Sequence, residues 1–387
     1  MLLVRGAATL AGLLTLALVA TGCGSGSADA PAGSGTGAGA TAVRVTLSND
    51  GCQADPATVA AGPTTFTIKN EGGSSVSEAE LVSGSRILGE KEGLTPGLSG
   101  SFSLDLKPGS YQLYCPNAKA ERSAFTVTGT SSSASASSSA AAAVNAATAG
   151  YHSYLKGKAA SLIALTGTFV AAVKAGQVER AKALYAQARA PYEAIEPVAE
   201  SFGDLDPAID AREGDVPAAE WGGYHRIERQ LWVAGNTTGM APVADKLLAD
   251  VKTLATRIAG SSFQAADLAN GATELLTEVS KSKLTGEEER YSGTDLSDIA
   301  ANLAGSRAAF DLLAPALAGT ASGDALVTTI RGRFARTDAL MAEHATPGGT
   351  YQPYKKLDAT AIRELTVATD ALAEPLSQLA EQVVTIK

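Results

Sequence analysis

Two residues three positions apart carry the strongest chemical suggestion in this chain. They are His225 and Glu228, within Trp221-Gly222-Gly223-Tyr224-His225-Arg226-Ile227-Glu228-Arg229-Gln230-Leu231-Trp232. On a helix such a pair projects from one face, so an imidazole and a carboxylate can share one metal ion. Two acidic segments flank the pair. The first is Tyr192-Glu193-Ala194-Ile195-Glu196-Pro197, followed by Asp204-Leu205-Asp206 and Ile209-Asp210-Ala211-Arg212-Glu213. The second is Gly286-Glu287-Glu288-Glu289-Arg290-Tyr291-Ser292-Gly293-Thr294-Asp295-Leu296. Carboxylates with one imidazole are the donors that hard or borderline cations such as iron prefer. The plainer reading of any one acid is a solvated face, or a helix N-terminal charge that complements the dipole. A ligating imidazole must be deprotonated, so metal affinity is expected to fall as pH drops through the ordinary imidazole range, near ~6.5.

Several other chemistries lack their residues. The second His of His-Glu-x-x-His is missing, and Arg229 stands where the inverted form, His-x-x-Glu-His, needs its last His. A metal-dependent hydrolase resting on His225 and Glu228 would therefore be short of ligands and of a general base. There is no Gly-x-Ser-x-Gly elbow and no Gly-rich phosphate loop. With 31 Lys and Arg against 40 Asp and Glu, the net charge is −9. That balance argues against nucleic acid, whose binding rests on neutralising phosphates. An acidic surface suits cations or basic partners, and a polyanionic polymer would need a bridging cation. Three Cys and three His exclude zinc-finger modules and disulfide-dense scaffolds.

The elements that must position these groups divide the 387 residues into five stretches. Residues 1–22 read as a secretory leader: Arg5, then an apolar run too short to span a bilayer, then small residues before Cys23. Cys23 at that place resembles a lipobox cysteine, the site of lipidation and the mature N-terminus. Residues 23–41, rich in Gly, Ser, Ala and Thr, read as a flexible tether. No other segment has the length and apolarity to cross a membrane. Residues 42–128 alternate in short β-like runs punctuated by Gly62-Pro63, Pro96-Gly97 and Pro108-Gly109, which predicts a Greek-key sandwich. Residues 129–146, nearly pure Ser and Ala at their centre, read as a linker. Residues 147–387 carry helical periodicity, with Leu162, Leu165, Phe169 and Val173 on one stripe. Helices are expected near 177–201, 217–233, 241–259, 263–282, 294–318, 323–345 and 358–386, with Pro191 and Pro197 splitting the first and Thr294 and Asp358 as N-caps.

In the β region, Pro108-Gly109-Ser110-Tyr111-Gln112-Leu113-Tyr114-Cys115 resembles the late strand and Cys of cupredoxins. A blue-copper site needs two His, one Cys and usually a Met. Residues 42–128 contain no His and no Met, so blue-copper chemistry is ruled out. Cys52 and Cys115 keep two readings: a disulfide closing a long loop, or a thiolate pair for copper. Glu78, Glu80, Glu90 and Glu92 are candidates for iron at the mouth of the sandwich. Glu78 and Glu80 share a face if their segment is a strand.

Taken together, these blocks resemble the EfeO-type iron-uptake lipoproteins of the imelysin family over nearly the whole mature chain. The specific marks are Tyr192-Glu193-x-Ile195-Glu196-Pro197, Asp204-Leu205-Asp206-x-x-Ile209-Asp210-Ala211-Arg212-Glu213, His225-Arg226-x-Glu228 and Gly286-Glu287-Glu288-x-Arg290-Tyr291-Ser292-x-Thr294-Asp295-Leu296. The resemblance implies a cupredoxin-like sandwich followed by an all-α imelysin double bundle, with the metal site between the bundles. It implies His225 and Glu228 as ligands, joined by Glu193, Glu196, Asp210 and Asp295, with iron as cargo. A second site would use Cys52, Cys115, Glu78, Glu80, Glu90 and Glu92, with iron or copper. Implied partners are a membrane iron permease (EfeU-like) and a secreted haem peroxidase (EfeB-like), outside the cytoplasmic membrane. Gly293 stands where the family carries His, and Ala79 where it carries Trp. The expected role is a binding protein, not a peptidase.

Overall fold

Strand β1 (Thr41–Ser48) follows its sequence alternation, with Val43, Val45 and Leu47 inward and Arg44 and Thr46 outward. The same rule orients β4 (Gly62–Asn70) through Thr64, Phe66 and Ile68, and β7 (Ser99–Leu106) through Phe102, Leu104 and Leu106. With β2 (Gly51–Asp55) these form a sheet of order β2-β1-β4-β7, in which β1 and β4 run parallel. The second sheet has the order β3-β9-β8-β5-β6, built from β3 (Thr58–Ala60), β5 (Ala79–Ser83), β6 (Arg86–Lys91), β8 (Gly109–Tyr114) and β9 (Arg122–Thr128). Phe66 ties the layers together, its ring centroid 5.0 Å from Phe102 and 5.2 Å from Phe125. Cys52 on β2 and Cys115 after β8 are joined as a disulfide. No thiolate is then left at these positions for copper, and the cross-link takes the first of the two readings.

The computed structural model describes residues 40–130 and 138–386. The expected leader, Cys23 and nearly all of the tether lie outside the described residues.

The helical body opens with α1 (Ser139–Lys174), whose first turns occupy part of the stretch expected to be linker up to residue 146. Ala has the highest helix propensity of any residue, and Ser138 caps the end by accepting from the Ala141 amide. Low complexity there signals an Ala-rich helix start. The helix expected near 177–201 is split into α2 (Val178–Glu193) and α3 (Glu196–Glu200), with Pro197 in the first turn of α3. The next are α4 (Asp206–Asp210) and α5 (Gly223–Trp232). A helix over 217–233 was expected, but Gly223 takes φ +70°, a left-handed value through which no helix continues. The segment before it turns instead.

The remaining helices are α6 (Ala241–Gly260), α7 (Ala265–Lys281), α8 (Asp295–Leu317), α9 (Ala321–Glu343) and α10 (Ala359–Val384). Helices α1, α2, α5 and α6 pack as one group and α7 to α10 as another, and α8 lies against α1 and α2 to join them. At Asp358 the side chain caps α10 through the Thr360 and Ala361 amides, whereas Thr294 precedes α8 without a side-chain cap bond. The sandwich rests on α7 and α10. Ala266 and Val384 enter the sandwich core, Asn270 Nδ2 donates to Ser103 O at 2.9 Å, and Lys91 pairs with Glu274 at 3.0 Å.

Candidate metal centre

Six separate segments converge between the two helical groups. Helix α2 ends on Glu193, one turn after Arg189, and α3 begins with Glu196. Asp210 closes α4, and α5 presents His225 and Glu228. A 3-10 turn (Lys283–Thr285) and the loop after it bring Lys283, Glu288 and Glu289, while α8 adds Asp295, Asp298 and Asn302 at helical spacing. All of these side chains are buried. Pro197 and the left-handed Gly223 set the chain breaks that let short helices turn their polar ends inward.

The imidazole is hydrogen-bonded on one edge and faces two carboxylates, without a hydrogen bond, on the other. Its Nδ1 lies 3.2 Å from Glu228 Oε2. Glu228 is itself fixed, because Oε1 accepts from the Tyr291 amide at 3.0 Å and the Ser292 amide at 2.7 Å. The other nitrogen, Nε2, has no hydrogen-bond partner although the ring is buried. It faces Asp210 Oδ1 and Glu288 Oε1, each at 3.6 Å. Asp210, His225 and Glu288 place donor atoms within 4.8 Å of one another, as do His225, Glu228 and Glu289. One imidazole nitrogen with carboxylate oxygens fits iron among other borderline cations, and a ligating His commonly passes its second nitrogen to a carboxylate. In that arrangement Nε2 faces the cation and Glu228 orients the ring.

Two buried cations thread the carboxylates. The Arg189 guanidinium contacts Asp210, Glu193, Glu288 and Glu289, with Nη2 3.3 Å from Glu288 and Nε 2.6 Å from Glu289. Lys283 Nζ lies 2.7 Å from Glu193 Oε2 and 3.1 Å from Glu196 Oε2. Asp298 keeps both oxygens without a hydrogen bond, its nearest positive group being Arg189 Nε at 3.6 Å.

Eight buried carboxyl groups (Glu193, Glu196, Asp210, Glu228, Glu288, Glu289, Asp295 and Asp298) thus share Arg189, Lys283 and His225. Protons or an added cation must balance the surplus negative charge. Burial raises Glu193, Glu196 and Asp298, lifts Glu289 to about 8 and lifts Asp295 to about 6. Asp210, Glu228 and Glu288 are also resisted by burial, yet neighbouring cations hold them below the usual carboxylate range. Arg189 and His225 act on Asp210, His225 on Glu228, and Lys283 with His225 on Glu288. For His225, burial and Arg189 both push the ring down, but Asp210, Glu228 and Glu288 outweigh them and raise it to about 10. The three carboxylates held ionised are those around the imidazole.

Of the residues anticipated from sequence, the fold brings Glu193, Glu196, Asp210, His225 and Glu228 together. Asp295 is buried nearby, outside those donor groups; its Oδ1 accepts the Glu289 amide at 3.1 Å and anchors the loop, while its Oδ2 has no hydrogen-bond partner. Sequence reasoning passed over Glu288, Glu289, Arg189 and Lys283. Glu288 and Glu289 lie inside a quoted block, but three successive acids give no sign of which turn inward.

A second acidic group lies at the base of the sandwich. Glu78, Glu90 and Glu92 bring carboxylate oxygens within 4.8 Å of one another. Glu80, buried on β5, lies beside them and pairs across to Glu90 on β6. Glu200, Glu274 and Glu278 of the helical body line a small cavity of about 10 Å³ together with Glu90, Glu92 and Glu196. Burial is the main cause that lifts Glu78 and Glu92 to about 8 and Glu80 to about 7. Cys52 and Cys115 are not among these donors.

The imelysin family matches residues 147–379, and the cupredoxin-like domain matches residues 12–127. Over 341 residues the chain is 36% identical to the iron uptake system component EfeO of Escherichia coli O157:H7, spanning 87% of this chain and 90% of that protein. The EfeO proteins of Escherichia coli K12 and Shigella flexneri are likewise 36% identical over 341 residues, with the same shares covered.

Proposed function

This chain belongs to the imelysin family, and we propose that it captures iron outside the cytoplasmic membrane and delivers it to a membrane permease. The relatives' role in iron uptake supports the cargo. One observation carries the site: a buried imidazole nitrogen, without a hydrogen bond, aimed between two carboxylates at 3.6 Å. On this reading Asp210, His225 and Glu288 hold the iron, Glu228 sets the ring, and Glu193 and Glu196 extend the carboxylate field. The acids at the sandwich base (Glu78, Glu80, Glu90 and Glu92) form a second, outer point of contact for iron. A haem peroxidase in the same compartment would act on the iron source before capture. Cys23, lipidated, would keep the protein beside the permease. Among the described residues no helix is long and apolar enough to cross a membrane.

A peptidase reading finds less support. Glu228, the carboxylate nearest the ring nitrogen, has Oε1 taken by two backbone amides and Oε2 by the imidazole. That leaves it poorly placed as a general base for water.

The deciding experiment titrates ferrous iron anaerobically into the full chain, wild type against His225→Ala, with circular dichroism as the fold control. Loss of a tight site in a folded variant supports the reading, and unchanged binding overturns it. For the anchor, Cys23→Ser should release protein from the membrane fraction.

A further inference from the structure

Lys283 starts a 3-10 turn and is fully buried. Its ammonium nitrogen lies 2.7 Å from Glu193 Oε2, 3.2 and 3.1 Å from the two oxygens of Glu196, and 3.7 Å from Glu288 Oε1. Glu193, Glu196, Asp210 and Glu288 form a four-carboxylate group whose donor oxygens lie within 4.8 Å of one another. This group shares Asp210 and Glu288 with the one around His225. Two donor groups joined by two common carboxylates are the arrangement of two-metal centres, whose ions sit ~3.5–4 Å apart. Here the second position has a tenant built into the chain.

We propose that Lys283 is a tethered cation that fills the second position of a two-cation carboxylate centre and so limits the centre to one iron. The inference rests on the reading that the His225 group binds iron. The physical case is charge and space. Three of the four carboxylates already point their oxygens at the ammonium at hydrogen-bonding or ion-pair distance. A buried carboxylate group needs a counter-charge, and a lysine supplies one that cannot be released with the cargo. Iron entering at His225 then finds Asp210 and Glu288 partly committed to Arg189 and Lys283. That weakens its hold relative to a fully bridged pair of ions. A single, moderately held ion suits a protein that must give its cargo away.

The test counts ferrous iron per chain in the full protein, prepared without chelator and titrated anaerobically. Lys283→Met removes the charge at similar volume. It should bind one more ferrous ion than wild type under the same conditions, and the double variant Lys283→Met with Glu193→Gln should return to the wild-type count. Taking the difference cancels any contribution from the sandwich. A folded Lys283→Met with the wild-type count overturns the proposal, as does an extra ion that survives Glu193→Gln. If the variant does not fold without metal, ferrous iron should restore its helical circular dichroism, and Lys283→Gln should behave alike. Failure of iron to restore both variants also overturns it. A wild type that binds no iron sinks the functional reading itself, whereas a wild-type count that Lys283→Met leaves unchanged sinks only this inference.

Discussion

Glu228 grips the Nδ1 edge of His225 at 3.2 Å while two loop amides, from Tyr291 and Ser292, grip Glu228 in turn. The ring orientation on α5 is thus set by a loop more than sixty positions further along the chain. Removing the charge of Glu228 should loosen the ring without emptying the core. We expect Glu228→Gln to lower iron affinity by roughly 10–100-fold, the range for partners that orient a metal-binding His. His225→Ala should cost more. Isothermal titration with unchanged helical circular dichroism checks both, and equal affinities in all three proteins would refute the arrangement.

Proton competition should stretch over an unusual range. The sequence alone placed the fall in affinity near the ordinary imidazole value, but the surrounding carboxylates raise His225 to about 10. Iron must displace that proton, so apparent affinity should climb about tenfold per pH unit as pH rises toward about 10 and level off above it. For the iron-free protein the sign is the reverse. The folded pKa exceeds the unfolded one, so the ring's stabilisation is complete below the unfolded value and lost as pH rises through about 10. Proton release measured in weakly buffered titrations should show the ring's proton leaving on binding at pH 7, and its absence would count against a charged imidazole.

Gly223 faces the backbone of Ile209, the residue before Asp210, so closely that an added Cβ would collide with the Ile209 carbonyl. It also has a left-handed φ of +70°. Gly223→Ala should therefore destabilise the fold by more than ~1 kcal/mol and push α4 from α5. That would part Asp210 from His225 and weaken iron binding along with the melting temperature. A variant as stable as wild type would show that the close approach relaxes freely.

The sandwich base should be sensitive to alkali. Burial lifts Glu78 and Glu92 to about 8 and Glu80 to about 7, above the ordinary 4.5. The folded protein therefore holds protons that the unfolded chain has released, and its stability falls as pH rises from the ordinary carboxylate value to the raised ones. Melting temperature scanned from pH 5 to 9 should drop, less steeply in Glu92→Gln and less steeply with a divalent cation present. Identical slopes would detach these acids from the effect.

The Cys52–Cys115 link closes a loop with a sequence separation of 63. Losing it should cost about 2–5 kcal/mol. Cys52→Ala should lower the melting temperature of the sandwich while leaving iron binding at His225 in place.

Legibility from sequence followed periodicity. β1, β4 and β7 each bury one face and show it as alternation, so Val43, Phe66 and Phe102 announce themselves. β5 does not, because Ala79, Glu80, Leu81 and Val82 are all buried and covering both faces erases the period. β6 fails for the opposite reason, being half-buried at every position. At the candidate metal centre, His225 and Glu228 were legible because one helix sets their geometry. Asp210 and Glu193 needed the resemblance. Arg189 and Lys283 left no mark, since nothing local distinguishes a lysine that will sit among buried carboxylates from one that will face water. The same limit applies to Asp295, where only the folded loop reveals that one of its oxygens holds the Glu289 amide.

Val384, at the end of α10, sits in the core of the sandwich whose first strand begins at Thr41. Domains generally fold in the order in which they are made, but this one receives part of its interior only after the whole helical body exists. The sandwich emerges first and is finished last. Its disulfide, which joins β2 of one sheet to the end of β8 in the other, can hold the two sheets together in the interval. It also means that an alteration at the far end of α10 should be felt at the sandwich before it is felt at the group around His225.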